Sequence, residues 1–292
     1  MYYKTKGYRL FNAFNLALLA VLAVACVLPL LHILAVSFSG KAAASANVVV
    51  FWPVDFNWDA YAKTFGNDHF LTAFGVSVKR VVAGTALGML VTIMTAYPLS
   101  KDNAVLRGRT VYTWYFIVTM LFSGGLVPSY VIMSKLGLIN SFWALILPGL
   151  VTVFNVILLL NFFRGVPKEL EEAAFIDGAG QVATLVRIYL PVSLPSLATL
   201  TLFHIVSHWN AWFDGMIYLS KPSDWPLSTL LQTIIVQVDF TKLASNPQAI
   251  ENISDRTVRA SQILIGSLPV LLVYPFLQKY FVKGIVVGAV KE

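Results

Sequence analysis

Charge and cysteine are what this sequence has least of. Only 12% of its 292 residues are Asp, Glu, Lys or Arg, and 58% are hydrophobic, against roughly 25% charged residues in a soluble domain. An ordinary soluble globular protein is thereby excluded, and a polytopic membrane protein fits. Cys26 stands alone, so no internal disulfide exists and the fold does not depend on oxidation. A Gly-x-x-x-x-Gly-Lys-Ser/Thr loop is missing, which removes one common nucleotide cradle; energy for active work has to come from elsewhere. No Ser-His-Asp or paired-carboxylate arrangement can be picked out either, so catalysis is not indicated. His204 and His208 lie four apart on one helix face, but His32 and His69 are on distant segments and no carboxylate follows at ligand spacing. Neither a metal nor a cofactor is expected in this chain.

Long apolar runs are what it has in plenty. They predict one all-α integral membrane domain over residues 1–292, with six transmembrane helices at about 14–38, 80–99, 110–128, 142–163, 197–219 and 260–281, near the roughly 20 residues a crossing needs. Leu22-Ala23-Val24-Ala25-Cys26 has some likeness to a lipoprotein cleavage box. The apolar run nevertheless continues through Cys26 past Ile33, longer than the roughly 7–15 residues of a signal core, and is read as a retained helix. Gly84 and Gly88 form a small-x-x-x-small pair, which permits close helix packing and which also arises by chance in a glycine-rich run. Gly124-Gly125 and Pro128 are expected to break the third run. Residues 39–70, with Pro53, Asp55 and Trp58 among aromatics, suit an external loop near the membrane interface. Residues 220–258 form the longest polar excursion, a partly apolar helix or strand; contact with an extracytoplasmic protein and a plain connector both stand.

The formal net charge is +7, which an anionic partner or membrane topology would explain. With the N-terminus inside, the inner segments (1–11, 99–110, 164–193, 279–292) hold 12 Lys and Arg with 6 acids. The outer segments (39–70, 134–141, 214–259) hold 7 basic residues and 8 acids. Excess Lys and Arg mark the cytoplasmic side, so topology takes the larger share, both termini are expected in the cytoplasm, and no nucleic-acid partner is implied.

One polar interruption, the loop 164–195, stands apart. Pro167 suits a first helical position, Glu169, Glu171 and Glu172 complement the positive end of the helix dipole, and Gly178 can adopt the left-handed turn that ends a helix. The resulting helix, from Pro167 to Asp177, is roughly 16 Å long. It is too short and too charged to cross a bilayer, yet long enough to fill a groove on another protein; an ordinary loop helix also fits. Arg187 suits the C-terminal dipole of a second helix, and Pro191 and Pro195 mark the return to the membrane.

Polar side chains within membrane helices usually face the bundle interior or water. Asn155, and Thr201, His204, His208 and Trp212 at helical spacing, are therefore candidates to line a solute path. Trp209 and Trp212 could offer flat faces to a sugar, while His and Asn also serve helix–helix hydrogen bonding. A self-sufficient ion-coupled carrier is the alternative function class. It calls for ionisable residues inside the spans, and the centres of the spans hold almost none apart from the two histidines.

Glu172-Ala173-Ala174, Gly178, Ile188, Leu190 and Pro191 fall at fixed offsets that resemble the cytoplasmic EAA loop of permease subunits in ATP-binding-cassette importers. The resemblance implies the type I permease fold with a coupling helix over 168–179. Glu169, Glu172, Ala173, Ala174, Asp177 and Gly178 would face the ATPase there, with Gly178 as the turn and Glu172 as a polar contact. Residues 122–148, 209–220 and the C-terminal FVKGIVVGAVKE are similar to the carbohydrate branch of these permeases, especially its polysaccharide and complex-oligosaccharide subgroup, where alginate is one possible cargo. That branch implies a bacterial inner-membrane location and a second homologous permease. It also implies two ATPase subunits carrying ATP and Mg, and an extracytoplasmic solute-binding protein. Gly284, Gly288 and Lys291 either touch the ATPases or form an unstructured end.

Overall fold

A computed structural model describes residues 5–236 and 256–289. It divides into two compact units: the described residues of Met1–Phe70 and Leu231–Leu268, and those of Leu71–Leu230 and Pro269–Glu292. The described regular elements are all helical. Residues 237–255 of the expected outer segment, and Lys291 of the tail, lie outside the described residues.

In the first unit, α1 (Lys6–Ser37) carries an apolar surface that is exposed over most of its length, from Leu10 and Phe14 to Leu30 and Leu34. No apolar stripe separates an inside from an outside face, which is the pattern of a helix in contact with lipid. Its far end enters a small core of Ala35, Val36, Ala43, Ala44, Val49 and Ala260. The short helices α2 (Lys41–Ser45) and α3 (Asp59–Phe65) follow. Phe38 at the end of α1, Phe56 and Trp58 before α3, and Tyr61 within it form an aromatic cluster with centroids 4.7–5.8 Å apart. A buried hydroxyl pair, Thr64 and Ser261 at 2.7 Å, joins this loop to the later part of the same unit.

Helix α4 runs over Asp68–Ser100, so the second span begins well before the expected residue 80. The basic pair Lys79-Arg80 looks like a membrane-end signal, but Arg80 is 2% exposed inside the helix. The third span is broken where glycine and proline foretell it: α5 (Arg109–Leu121) and α6 (Leu126–Lys135) meet at 112°, with Gly125 at φ 85° and Pro128 in the first turn of α6. The fourth is a pair of 3₁₀ turns over Phe142–Gly149 followed by α7 (Val153–Arg164), bent by 49°.

The polar interruption contains α8 (Lys168–Ile176). Pro167 is its flanking residue rather than its first, because its ψ of 132° is extended. Next comes α9 (Gln181–Val192), with a π-helical stretch at Leu185–Tyr189, then α10 (Leu194–Asn210) at 84° to it. The fifth span was expected to reach 219, but α10 stops at Asn210 and α11 (Phe213–Tyr218) starts afresh. Trp212 is therefore out of helical register with Thr201, His204 and His208. Last are α12 (Leu227–Val236) and α13 (Arg256–Ala289).

Three of these helices, α1, α4 and the Arg256–Phe276 part of α13, are long and apolar enough to cross a membrane alone. Counting each bent pair as one crossing gives up to six among the described residues. The main core of the second unit, Ala96, Tyr97, Leu99, Val156, Leu159, Leu160, Phe163, Val166, Tyr189 and Leu200, sits where α4, α7, α9 and α10 converge beside α8.

Candidate coupling helix and intramembrane cavity

Helix α8 has one held face and one free face. Ala174 is 8% exposed and Glu171 is half-buried, whereas Glu169, Glu172, Ala173 and Asp177 are exposed, as is Ile176 at 86%. The helix ends as expected, with Gly178 at φ 79° and the Ala179 N–H donating to the Ala174 carbonyl at 2.9 Å. A β-carbon at Gly178 would meet nothing within 4 Å, so glycine is required by backbone conformation rather than by space.

Glu171, absent from the motif reading, is the acid that faces inward. Its Oε1 accepts from Lys101 Nζ at 2.8 Å and its Oε2 accepts from the Tyr189 hydroxyl at 2.6 Å. Lys101 lies 4.1 Å from the centroids of both the Tyr97 and Tyr189 rings, so the ammonium is caged by two π faces and one carboxylate. Burial pulls Lys101 below the ordinary lysine range, and the Glu171 hydrogen bond and charge pull the other way. The Tyr97 hydroxyl donates to Gln181 Oε1 at 2.8 Å. Beside this cluster, Lys168 and Asp102 pair at 2.7 Å with 73% and 61% of their side chains exposed. That bridge is a weak surface contact, although it holds Asp102 below and Lys168 above their usual ranges.

The path candidates divide. His204 and His208 are buried and their rings stack at 6.3 Å and 18°. The Asn155 amide and His204 Nε2 are hydrogen-bonded at 3.1 Å. Both rings lie against the glycines of α4: a β-carbon on Gly84 would stand 2.4 Å from His208 Nε2, and one on Gly88 2.7 Å from His204 Cε1. The small-residue pair thus receives histidine rings. Thr201 bonds back to the Leu197 carbonyl at 2.8 Å. Trp209 packs edge-on against Phe74 at 5.7 Å, and Trp212 edge-on against Phe213 at 5.5 Å.

A cavity of about 180 Å³ opens beside the histidines, lined by Arg80, Thr152, His204, Ser207, His208 and Asp214 among others. Asn155, Thr201, Trp209 and Trp212 are not among its lining residues. The sequence reading missed Arg80 and Asp214, which form an ion pair through both guanidinium NH groups, with Arg80 buried and Asp214 half-buried. Arg80 also donates to the Ala211 carbonyl at 2.8 Å, where α10 breaks. Ser228 donates to the same carbonyl and Thr229 to that of Trp212, each at 2.7 Å. These contacts satisfy the carbonyls that a broken helix leaves open, which is costly to omit away from water.

Known proteins are similar to this chain. Protein LplC of Bacillus subtilis (strain 168) is 38% identical over 99% of this chain and 97% of its own. The polygalacturonan/rhamnogalacturonan transport system permease protein YtcP of the same organism is 38% identical over 97% of this chain and 99% of its own. Among solved structures, a chain of a bacterial ABC transporter involved in the import of the acidic polysaccharide alginate superposes with a TM-score of 0.86 at 31% identity, covering 95% of this chain and 98% of that one. The model of the binding-protein-dependent transport system inner membrane components matches residues 16–287, and with a free-faced helix at the polar interruption and a bundle of broken apolar helices around it, this chain belongs to that family.

Proposed function

We propose that the chain is one of two paired permeases in an ATP-binding-cassette importer that carries acidic oligo- or polysaccharides across the bacterial inner membrane. The observation that carries the coupling role is α8 itself, held from inside by Glu171 and Ala174 while Glu169, Glu172, Ala173 and Ile176 stand free. A helix anchored on one face and bare on the other suits a groove in a separate ATPase. Two such ATPases hydrolyse Mg-bound ATP, a solute-binding protein delivers the sugar from outside, and both termini of this chain lie in the cytoplasm.

The acidic-sugar reading rests on the cargo of the polygalacturonan/rhamnogalacturonan relative and of the alginate importer. The cavity at Arg80, His204, His208 and Asp214 is the solute-path segment this chain contributes, with hydrogen-bond donors and acceptors on its walls. ATP-driven closure shifts the bundle between inward-open and outward-open states, which requires the binding protein and nucleotide to bind the two states unequally.

The test is affinity purification of the tagged chain from its native membrane, followed by mass spectrometry and thermal-shift screening of the recovered binding protein. Recovery of an ATP-binding-cassette ATPase and a second permease, with the binding protein stabilised by oligogalacturonates or alginate oligomers, is the expected result. A chain recovered alone returns the ion-coupled carrier to first place, and a binding protein stabilised only by neutral sugars removes the acidic cargo.

A further inference from the structure

We propose that Lys101 and Glu171 form the latch through which motion of α8 reaches α4, with Tyr97 and Tyr189 as the cage that keeps the latch closed. This rests on α8 being the helix that docks the ATPase. Two ion pairs tie α8 to the segment that follows α4, and they differ sharply. Lys168–Asp102 is solvated on both sides, whereas the side chains of Lys101 and Glu171 are 6% and 15% exposed. A solvated pair of flexible side chains stretches under load at little cost. A buried pair with both carboxylate oxygens engaged does not, because opening it strands a charge away from water.

The position of Lys101 adds to the argument. It directly follows the last residue of α4, and its carbonyl accepts from Arg109 at 2.8 Å, at the start of α5. Tyr97, one turn earlier in α4, packs edge-on against Tyr189 at 5.1 Å and Phe163 at 6.2 Å, and Tyr189 meets Phe163 at 5.5 Å. One ammonium therefore lies where α4, α7, α8 and α9 meet. In the same helix as Tyr97, about two to four turns earlier, lie Gly84 and Gly88 with the histidine rings upon them, so α4 joins the latch directly to the wall of the cavity. Lys101 and Glu171 are positioning residues: neither is assigned to touch ATP or sugar.

The test uses the whole importer in nanodiscs, with Mg-ATP and the co-purified binding protein saturated with oligogalacturonate. The readout is the ratio of ATP hydrolysis with and without binding protein. Lys101→Met and Glu171→Gln are expected to retain the ATPase while this stimulation falls at least fivefold, and Lys101→Arg, which keeps the charge and the ring contacts, is expected to preserve most of it. Should a single variant fail to assemble, Lys101→Met with Glu171→Leu removes both charges together and leaves no unpaired charge, the Tyr189 hydroxyl alone losing its acceptor. Assembly recovered with stimulation still lost supports the latch. Stimulation recovered along with assembly overturns it and makes the pair mere packing. Wild-type stimulation in the single variants overturns the latch alone, whereas a wild-type complex that holds no ATPase removes the docking role of α8 and the latch with it.

Discussion

At the scale of single residues, space decides more than chemical type. Gly75, Gly84 and Gly88 all lie in α4, yet a β-carbon at Gly75 would meet nothing within 4 Å while those at Gly84 and Gly88 would strike histidine rings. Gly84→Ala is therefore expected to lower stability by about 1–3 kcal/mol through overpacking. Gly75→Ala is expected to raise it by about 0.5–1 kcal/mol, since glycine is a poor helix former. Thermal unfolding of the detergent-solubilised protein checks both, and equal effects at the two positions would refute the docking of His208 on Gly84. The sequence allowed the close approach at Gly84 and Gly88 but not its partner. Spacing of four in both pairs, Gly84 with Gly88 and His204 with His208, was the available clue, and it becomes a match only once two helices are known to pack. The start of the second span was set near residue 80 for a related reason: the apolar run begins beside the basic pair Lys79-Arg80, and only the helix continuing back to Asp68 and the carboxylate of Asp214 show that Arg80 is buried.

At the scale of elements, α8 carries the sharpest expectation. Gly178 sits at φ 79°, where a side chain costs about 1–2 kcal/mol and a β-branched one is a genuine outlier. Because its β-carbon would meet open space, the whole effect of Gly178→Val is expected in the path of the chain out of α8. ATP hydrolysis and uptake are expected to become uncoupled while the chain still inserts and is recovered at wild-type level. Unchanged uptake by membrane vesicles would remove the turn from the coupling route. The position of this element was legible because a short run of three glutamates between apolar segments has few other uses. Which glutamate points inward was not, because α8 lacks an apolar stripe long enough to set its rotation. The answer lies in Lys101 and Tyr189, distant in sequence, and the motif directed attention to Glu172, which is exposed. The break between α10 and α11 was likewise hidden: Trp-Asn-Ala-Trp contains neither glycine nor proline, and what allows the helix to stop is Arg80, Ser228 and Thr229 on other segments.

At the scale of the whole molecule, charge counts set an expected sidedness that can be measured without any knowledge of cargo. The proposed inner segments hold 12 basic residues against 6 acids, and the outer ones 7 against 8. Lys and Arg flanking the spans set orientation while acids contribute little, so the difference in basic residues is the part that counts. On this count α8 is expected inside and the turn Pro222–Asp224 outside. Both offer exposed reporters, Ile176 and Ser223, and Cys26, the sole native thiol, can be removed as Cys26→Ser. In right-side-out vesicles, a membrane-impermeant maleimide is expected to label the Ser223→Cys chain at once and the Ile176→Cys chain only after the membrane is opened. The reverse pattern would put α8 on the wrong side for any cytoplasmic ATPase. Labelling of both from outside would mean that fewer crossings separate the two sites than the bent helix pairs allow, since with α9–α10 as one crossing Ile176 and Ser223 lie on opposite sides.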